Sequence, residues 1–187
     1  MDQHKDYKDY YDLEEKIKDT NYGSLYKAKN KMTNEKKAIK IIEKKKFKDN
    51  FRNNHLRDPT NEEMKSYIDK YIKEIDYMKI MEGKNKENNN IVKYYEHFEN
   101  EDEFAIIMEL CDDNLLNFSI SRKNSFKPEE IFDILNQLNN SFKIMNENKL
   151  VHRDLNLKNI LIKYGNKEKQ KYILKLKFNN SFLLLLL

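Results

Sequence analysis

The spacing of hydrophobic positions changes repeatedly along the chain, and each change marks a different kind of element. Between residues 11 and 46 apolar and polar positions alternate. Leu13 and Ile17 precede a polar tip at Lys18-Asp19-Thr20-Asn21, and Leu25, Tyr26 and Ala28 lead to a second tip at residues 30–34. Ala38-Ile39-Lys40-Ile41-Ile42 is then a β-branched run bounded by lysines. This pattern predicts three antiparallel strands. Residues 47–59 are polar, end in Pro59 and read as a loop. Thr60 and Glu63 form an S/T-x-x-E capping box, and Met64, Tyr67, Ile68, Tyr71, Ile72, Ile75 and Met78 step by three and four. That spacing predicts a helix near 60–82 with one apolar face, stopped by Gly83. After a polar loop at 85–90, residues 91–98 and 103–110 predict two more strands around a turn at 99–102. The run Phe104-Ala105-Ile106-Ile107-Met108 is continuous, as in a strand covered on both faces.

Beyond residue 110 the pattern becomes helical. Residues 115–120 predict a short helix. Pro128-Glu129-Glu130 opens a longer one, with proline in the first turn and acids near the positive end of the helix dipole. Its apolar stripe is Ile131, Ile134, Leu135, Leu138, Phe142 and Met145. Leu150-Val151 and Ile160-Leu161-Ile162 are short apolar runs around a polar segment, and residues 172–176 are a last strand candidate. The expected fold class is α+β. Residues 1–110 form a five-stranded antiparallel unit with one helix, residues 111–187 a mainly helical unit, and a hinge joins them near 110–114.

Composition narrows the function classes. The 187 residues include 36 Lys and Arg against 32 Asp and Glu, a net charge of +4, with 36% charged and 39% hydrophobic residues. A collagen-like fibre and a disulfide scaffold are excluded. Aromatics at 12% with only 3 Gly and 2 Pro argue against disorder. Acidic residues interrupt the basic ones everywhere, so no nucleic-acid partner is expected. The single cysteine, Cys111, cannot form an internal disulfide, which points to a reducing, cytoplasmic setting. Residues 1–6 contain no apolar leader segment. Residues 182–187 are Phe followed by five Leu. Six residues span about 9 Å as a helix against about 30 Å of bilayer core, so no membrane span is expected there. The tail reads as a sticky terminal patch or as an abnormal stop.

The polar segment between the two short apolar runs holds the candidate chemistry: Val151-His152-Arg153-Asp154-Leu155-Asn156-Leu157-Lys158-Asn159-Ile160. It places a carboxylate and a carboxamide five residues apart in a loop pinned by apolar anchors. A carboxylate can accept a proton or orient a hydroxyl, and a carboxamide oxygen can meet a hard cation such as Mg²⁺. This segment resembles the catalytic loop of the eukaryotic protein kinases, H-R-D-L-x-x-x-N, in all five specified places. His55-Leu56-Arg57-Asp58 is a decoy in the same chain: Glu63 stands five residues after Asp58, and no apolar anchors flank it.

The resemblance extends over about residues 11–177 and implies a protein-kinase-like fold, with an N-lobe at 1–110 and a partial C-lobe at 111–187. It implies ATP and Mg²⁺ as cofactors, a protein substrate or protein partner, and phosphoryl transfer to a serine or threonine hydroxyl. Asp154 is then the catalytic base or orienter and Asn159 a metal ligand. Ala38-Ile39-Lys40 matches the end of V-A-I-K, so Lys40 meets the α- and β-phosphates and Ala38 lies at the nucleotide site. Glu74, which shares a helix face with Tyr67, Tyr71 and Met78, pairs with Lys40. Met108-Glu109-Leu110-Cys111 resembles the hinge: backbone groups of Glu109 and Cys111 bind adenine, and Met108 guards the pocket. Gly23 is the last glycine of the phosphate loop.

Four departures accompany the resemblance. The other two glycine places of the loop hold Lys18 and Thr20. Asn156 stands two residues after Asp154, where Ser/Thr-specific members have a Lys that contacts the transferred phosphate. Phe178-Asn179-Asn180 occupies the place of D-F-G, and a phenyl ring cannot supply the oxygen that Mg²⁺ requires. The chain ends before any activation segment or A-P-E motif, which would leave the apolar stripe of the long helix exposed. These departures imply a C-terminally truncated kinase. The alternative reading is a pseudokinase-like nucleotide-binding or scaffolding module, or an inactive gene fragment.

Overall fold

The computed structural model describes residues 6–82, 88–165 and 172–177, and the backbone of residues 183–184. A short helix, α1 (Tyr7–Tyr10), leads into β1 (Tyr11–Thr20), β2 (Gly23–Asn30) and β3 (Lys36–Glu43). Two helices follow, α2 (Lys44–His55) and α3 (Asn61–Glu82), and then β4 (Tyr94–Glu99) and β5 (Glu103–Glu109). The rest comprises β6 (Asp113–Asn114), α4 (Leu115–Ser121), α5 (Pro128–Glu147), β7 (Leu150–Val151), a 3-10 turn (Leu157–Asn159), β8 (Ile160–Lys163), β9 (Ile173–Leu176) and β10 (Leu183–Leu184). Gly83 and the D-F-G place at 178–180 lie outside the described residues.

The five predicted strands form one antiparallel sheet in the order β1-β2-β3-β5-β4. Alternation of side chains sorts its two faces. Ala28, Ile39, Ile41, Phe98, Ala105 and Ile107 are buried on one face, where Tyr7 and Tyr11 pack over them. Ala38, Lys40 and Ile42 of β3 point to the opposite face, as do Ile106 and Met108 of β5, which pair with Lys40 and Ala38. The N-terminal segment is fastened by polar contacts as well. The Tyr7 hydroxyl donates to Glu103 at 3.2 Å, the Tyr11 hydroxyl to Glu96 at 2.6 Å, and Asn100 Nδ2 to Asp6 at 2.9 Å. Burial, with the Glu96 contact, pushes the Tyr11 hydroxyl up to about 12.

Three local expectations are corrected. Residues 44–55 are helical, where 47–59 reads as a loop. Phe47, Phe51 and His55 stand four residues apart, with Phe47 stacked on Tyr67 of α3 at 3.9 Å between ring centroids, Phe51 stacked on His55 at 4.0 Å and Phe47 tilted against Phe51. This narrow aromatic stripe holds an otherwise polar helix to the body. The fourth sheet strand starts at Tyr94 instead of residue 91, because Ile91 and Val92 serve a different neighbour. Ile91 bridges Leu176 in parallel, and the Val92 amide donates to the Leu176 carbonyl at 3.0 Å. In α5, whose apolar stripe is expected to be left open, Ile134, Leu138 and Ser141 are buried and Ile131 and Leu135 are about half exposed. Finally, two residues of the leucine tail form a strand: Leu183 and Leu184 pair antiparallel with Val151 and Leu150.

The capping box at Thr60 forms as expected: the Thr60 amide donates to Glu63 at 2.8 Å and the Glu63 amide to the Thr60 hydroxyl at 3.2 Å. The chain divides into two compact units, Met1–Lys70 with Tyr94–Leu110, and Tyr71–Lys93 with Cys111–Leu187.

Candidate active site

Gly23, Ala38, Lys40, Met108 and Glu109 belong to the first unit. Register places four of them on one sheet face, opposite the tyrosine-covered core. Gly23 pairs with Ile42, Lys40 with Leu25 and Ile106, and Ala38 with Lys27 and Met108. Cross-strand partners share a face, and positions two apart on one strand do as well. Ala38 and Met108 are buried, and Lys40 is half-buried. Glu109 lies one position out of phase, opposite Lys37. Lys37 stands where the resembling motif has Val; its ammonium lies 3.6 Å from the centre of the Tyr95 ring and 3.0 Å from Glu35.

Gly23 has a packing reason for its identity. A Cβ there would lie 1.9 Å from the Ile41 carbonyl oxygen, so β2 and β3 approach closely only without a side chain.

Glu74, Cys111, Asp154 and Asn159 belong to the second unit. Glu74 is only 2% exposed and lies within the buried stripe of α3, where a carboxylate must be satisfied by a partner. Cys111 is half-buried, and the next residue is tied into the small sheet: the Asp112 amide donates to the Ile162 carbonyl at 2.8 Å.

The catalytic-loop segment is built from its flanks inward. β8 pairs with β9, from Ile160 opposite Leu176 to Lys163 opposite Ile173, and the Lys177 amide donates to the Asn159 carbonyl at 2.9 Å. β9 is anchored on its other side: the Leu176 amide donates to the Asn90 carbonyl at 2.9 Å, and Asn90 Nδ2 to the Leu174 carbonyl at 2.9 Å. The hydroxyl of Ser141, fully buried in α5, donates to the same Asn90 carbonyl at 3.1 Å. At the other flank, His152 is buried and its Nε2 meets the Lys177 carbonyl at 2.9 Å. A carbonyl only accepts, so Nε2 carries the proton and Nδ1 faces the Asp154 amide. Arg153 adopts φ 58°, the left-handed region, and turns the chain so that the Asp154 amide donates to the His152 carbonyl at 2.8 Å.

This turn brings Asp154 and Asn159 together. Asn159 Nδ2 donates to the Asp154 carboxylate at Oδ2 and to its backbone carbonyl, both at 2.8 Å. Asn159 is buried. Asn156 makes a second contact, donating from Nδ2 to Asp154 Oδ1 at 2.8 Å. The sequence marks Asn156 only as a departure; this contact has no signal in the residue order. Asn88, Asn90 and Ser141 are likewise invisible in an asparagine-rich chain until the fold places them.

The oxygens of Asp154 and Asn159 are of the type Mg²⁺ takes, but they fall short of a full set. Among the described residues there is no group of three or more His, Cys, Asp or Glu that could hold a metal. In the sequence Phe178 stands where the second carboxylate is expected. The residues present do not fit a complete magnesium site. Among the described residues no helix is long and apolar enough to cross a membrane.

Residues 11–177 match the protein kinase domain family. The chain is similar to calcium-dependent protein kinase 5 of Plasmodium falciparum (isolate 3D7), 31% identical over 154 residues, covering 82% of this chain and 23% of that protein. It is similar to calcium-dependent protein kinase 3 of Plasmodium yoelii yoelii, 30% identical over 154 residues, 82% of this chain and 24% of that protein. It also resembles the mouse NUAK family SNF1-like kinase 1, at 30% over 152 residues, 81% of this chain and 20% of that protein. The chain thus spans between a fifth and a quarter of the length of these relatives.

Proposed function

The chain belongs to the protein kinase domain family, and on that premise we propose that it binds ATP and transfers the terminal phosphoryl group to a serine or threonine hydroxyl of a protein. The observation that supports this most is the Asp154–Asn159 arrangement, a carboxylate fixed by a carboxamide five residues on. In the proposed step the acceptor hydroxyl oxygen bonds to the γ-phosphorus, the bond to the bridging oxygen breaks, and ADP departs. The hydroxyl proton passes to Asp154. Lys40 neutralises α- and β-phosphate charge, with Glu74 as its partner, and Ala38 and Met108 bound the adenine side of the site. Glu109 and Cys111 supply backbone groups to the base, and Gly23 lets the chain approach the phosphates.

Thermal unfolding with ATP, together with phosphate transfer to a mixed protein substrate, tests the proposal. At 100 times the dissociation constant a ligand adds about 2.7 kcal/mol of stability. Lys40→Met is expected to remove most of that stabilisation. Asp154→Asn is expected to retain it while transfer falls by about 10²- to 10⁴-fold. Absence of ATP-dependent stabilisation, or transfer indifferent to Asp154→Asn, overturns the proposal. Phe178 in the place of the metal-binding aspartate favours a second reading, a nucleotide-binding module without transfer. Stabilisation by ATP with no transfer in the parent chain selects that reading.

A further inference from the structure

We propose that Asn156 is a positioning residue that aims the carboxylate of Asp154 at the acceptor hydroxyl, a role that rests on the phosphoryl-transfer reading above. A carboxylate on its own rotates over a broad range about its last torsion. Here both oxygens are held by neutral amide donors, Oδ2 by Asn159 and Oδ1 by Asn156, each at 2.8 Å. Both carboxamides also reach the Asp154 backbone carbonyl, Asn159 at 2.8 Å and Asn156 at 3.1 Å. The carboxylate plane is thereby fixed relative to its own main chain.

Asn156 is itself fixed. Its Oδ1 accepts from the Lys158 amide at 2.9 Å, capping the 3-10 turn that carries Asn159. One carboxamide therefore caps the turn with its oxygen and orients Asp154 with its nitrogen. Several side chains can fill the capping role, since Ser, Thr, Asp and Asn all cap. Of these only Asn supplies an amide N–H to orient the carboxylate, and an ionised Asp only accepts. A purely structural role and a positioning role therefore separate by substitution. Asn156→Asp and Asn156→Ser keep a cap and lose the amide donor, and Asn156→Ser does so without added charge.

The test uses the full chain labelled with ¹⁵N-asparagine. The Asn156 side-chain amide resonances are expected to move when Asp154 is replaced by Ala, since the acceptor oxygen is removed. In steady-state assays both Asn156 variants are expected to keep the melting temperature and the KM for ATP while kcat falls about tenfold, equivalent to about 1.4 kcal/mol. Resonances indifferent to Asp154→Ala overturn the proposal, as does an unchanged kcat in both variants or a lowered melting temperature that accounts for the loss. If the parent chain transfers no phosphate, the transfer reading fails by itself and the amide resonances alone decide the contact.

Discussion

Burial holds the imidazole of His152 below the ordinary histidine range, against the opposing influence of the Lys177 carbonyl and the charge of Asp154. The folded chain therefore binds this proton less readily than the unfolded chain, whose histidine titrates near about 6.5. Stability contributed by neutral His152 is present above that value and is lost as pH falls below it. Comparing unfolding free energies between pH 7 and pH 5 should show a flatter dependence in His152→Gln than in the parent, and the imidazole C–H resonances should titrate below 6.5. The decoy at His55-Leu56-Arg57-Asp58 shows what the same residue letters do elsewhere. His55 stacks on Phe51, Leu56 takes a left-handed conformation that ends α2, and Arg57 pairs with Glu63 at 2.8 Å. Those residues serve a helix end. At Gly23, substitution by Ala must push β2 away from the Ile41 carbonyl, and overpacking of that kind costs about 1–3 kcal/mol. Denaturant midpoints of Gly23→Ala and the parent measure it.

Among the elements, α2 is the one whose existence depends most on a neighbour. It carries no buried residue of its own and gains its hold through Phe47 on Tyr67 and the Tyr22 ring beside both. Removing Phe47 should melt it, whereas α3 keeps its cap and its broad apolar face. Phe47→Ala is expected to cost about 1–2 kcal/mol, more than the exposed Lys48→Ala on the same helix. A loss of helical ellipticity of roughly three turns, read by circular dichroism, should accompany it. β9 is a second dependent element. Its four residues are held between β8 and the extended segment 90–92, with Gln137 of α5 accepting from the Leu174 amide at 2.9 Å.

At the scale of the molecule, the first unit closes one face of its sheet with its own N-terminal segment. Tyr7 is 2% exposed and Tyr11 is 4% exposed over Ile39, Ile41, Phe98 and Ile107. Lys8 adds an ion pair to Glu103 at 2.8 Å, which is exposed and contributes little next to the aromatic burial. Replacing Tyr7 by Ala leaves a cavity against the sheet and is expected to cost about 3 kcal/mol, or roughly 6–12 °C in melting temperature. Calorimetry of Tyr7→Ala and Lys8→Ala should separate the two contributions by that margin.

The order of residues was sufficient for whatever depends on neighbours in the chain. The period of two marks the three-strand meander, a continuous apolar run marks β5, the step of three and four marks α3 and α5, and the S/T-x-x-E box marks the start of α3. The spacing of His152, Arg153, Asp154, Leu155 and Asn159 marks the loop and, with it, the family. Only the tertiary structure decided whatever depends on a partner far along the chain. A polar stretch becomes α2 because Tyr67 waits for Phe47, and Ile91 leaves the large sheet because Leu176 offers a bridge. Ser141 is buried because an asparagine carbonyl fifty-one residues away needs a donor. Side-chain type and spacing encode local periodicity and caps, whereas pairing between distant segments depends on how whole elements fill space and satisfy one another's polar groups.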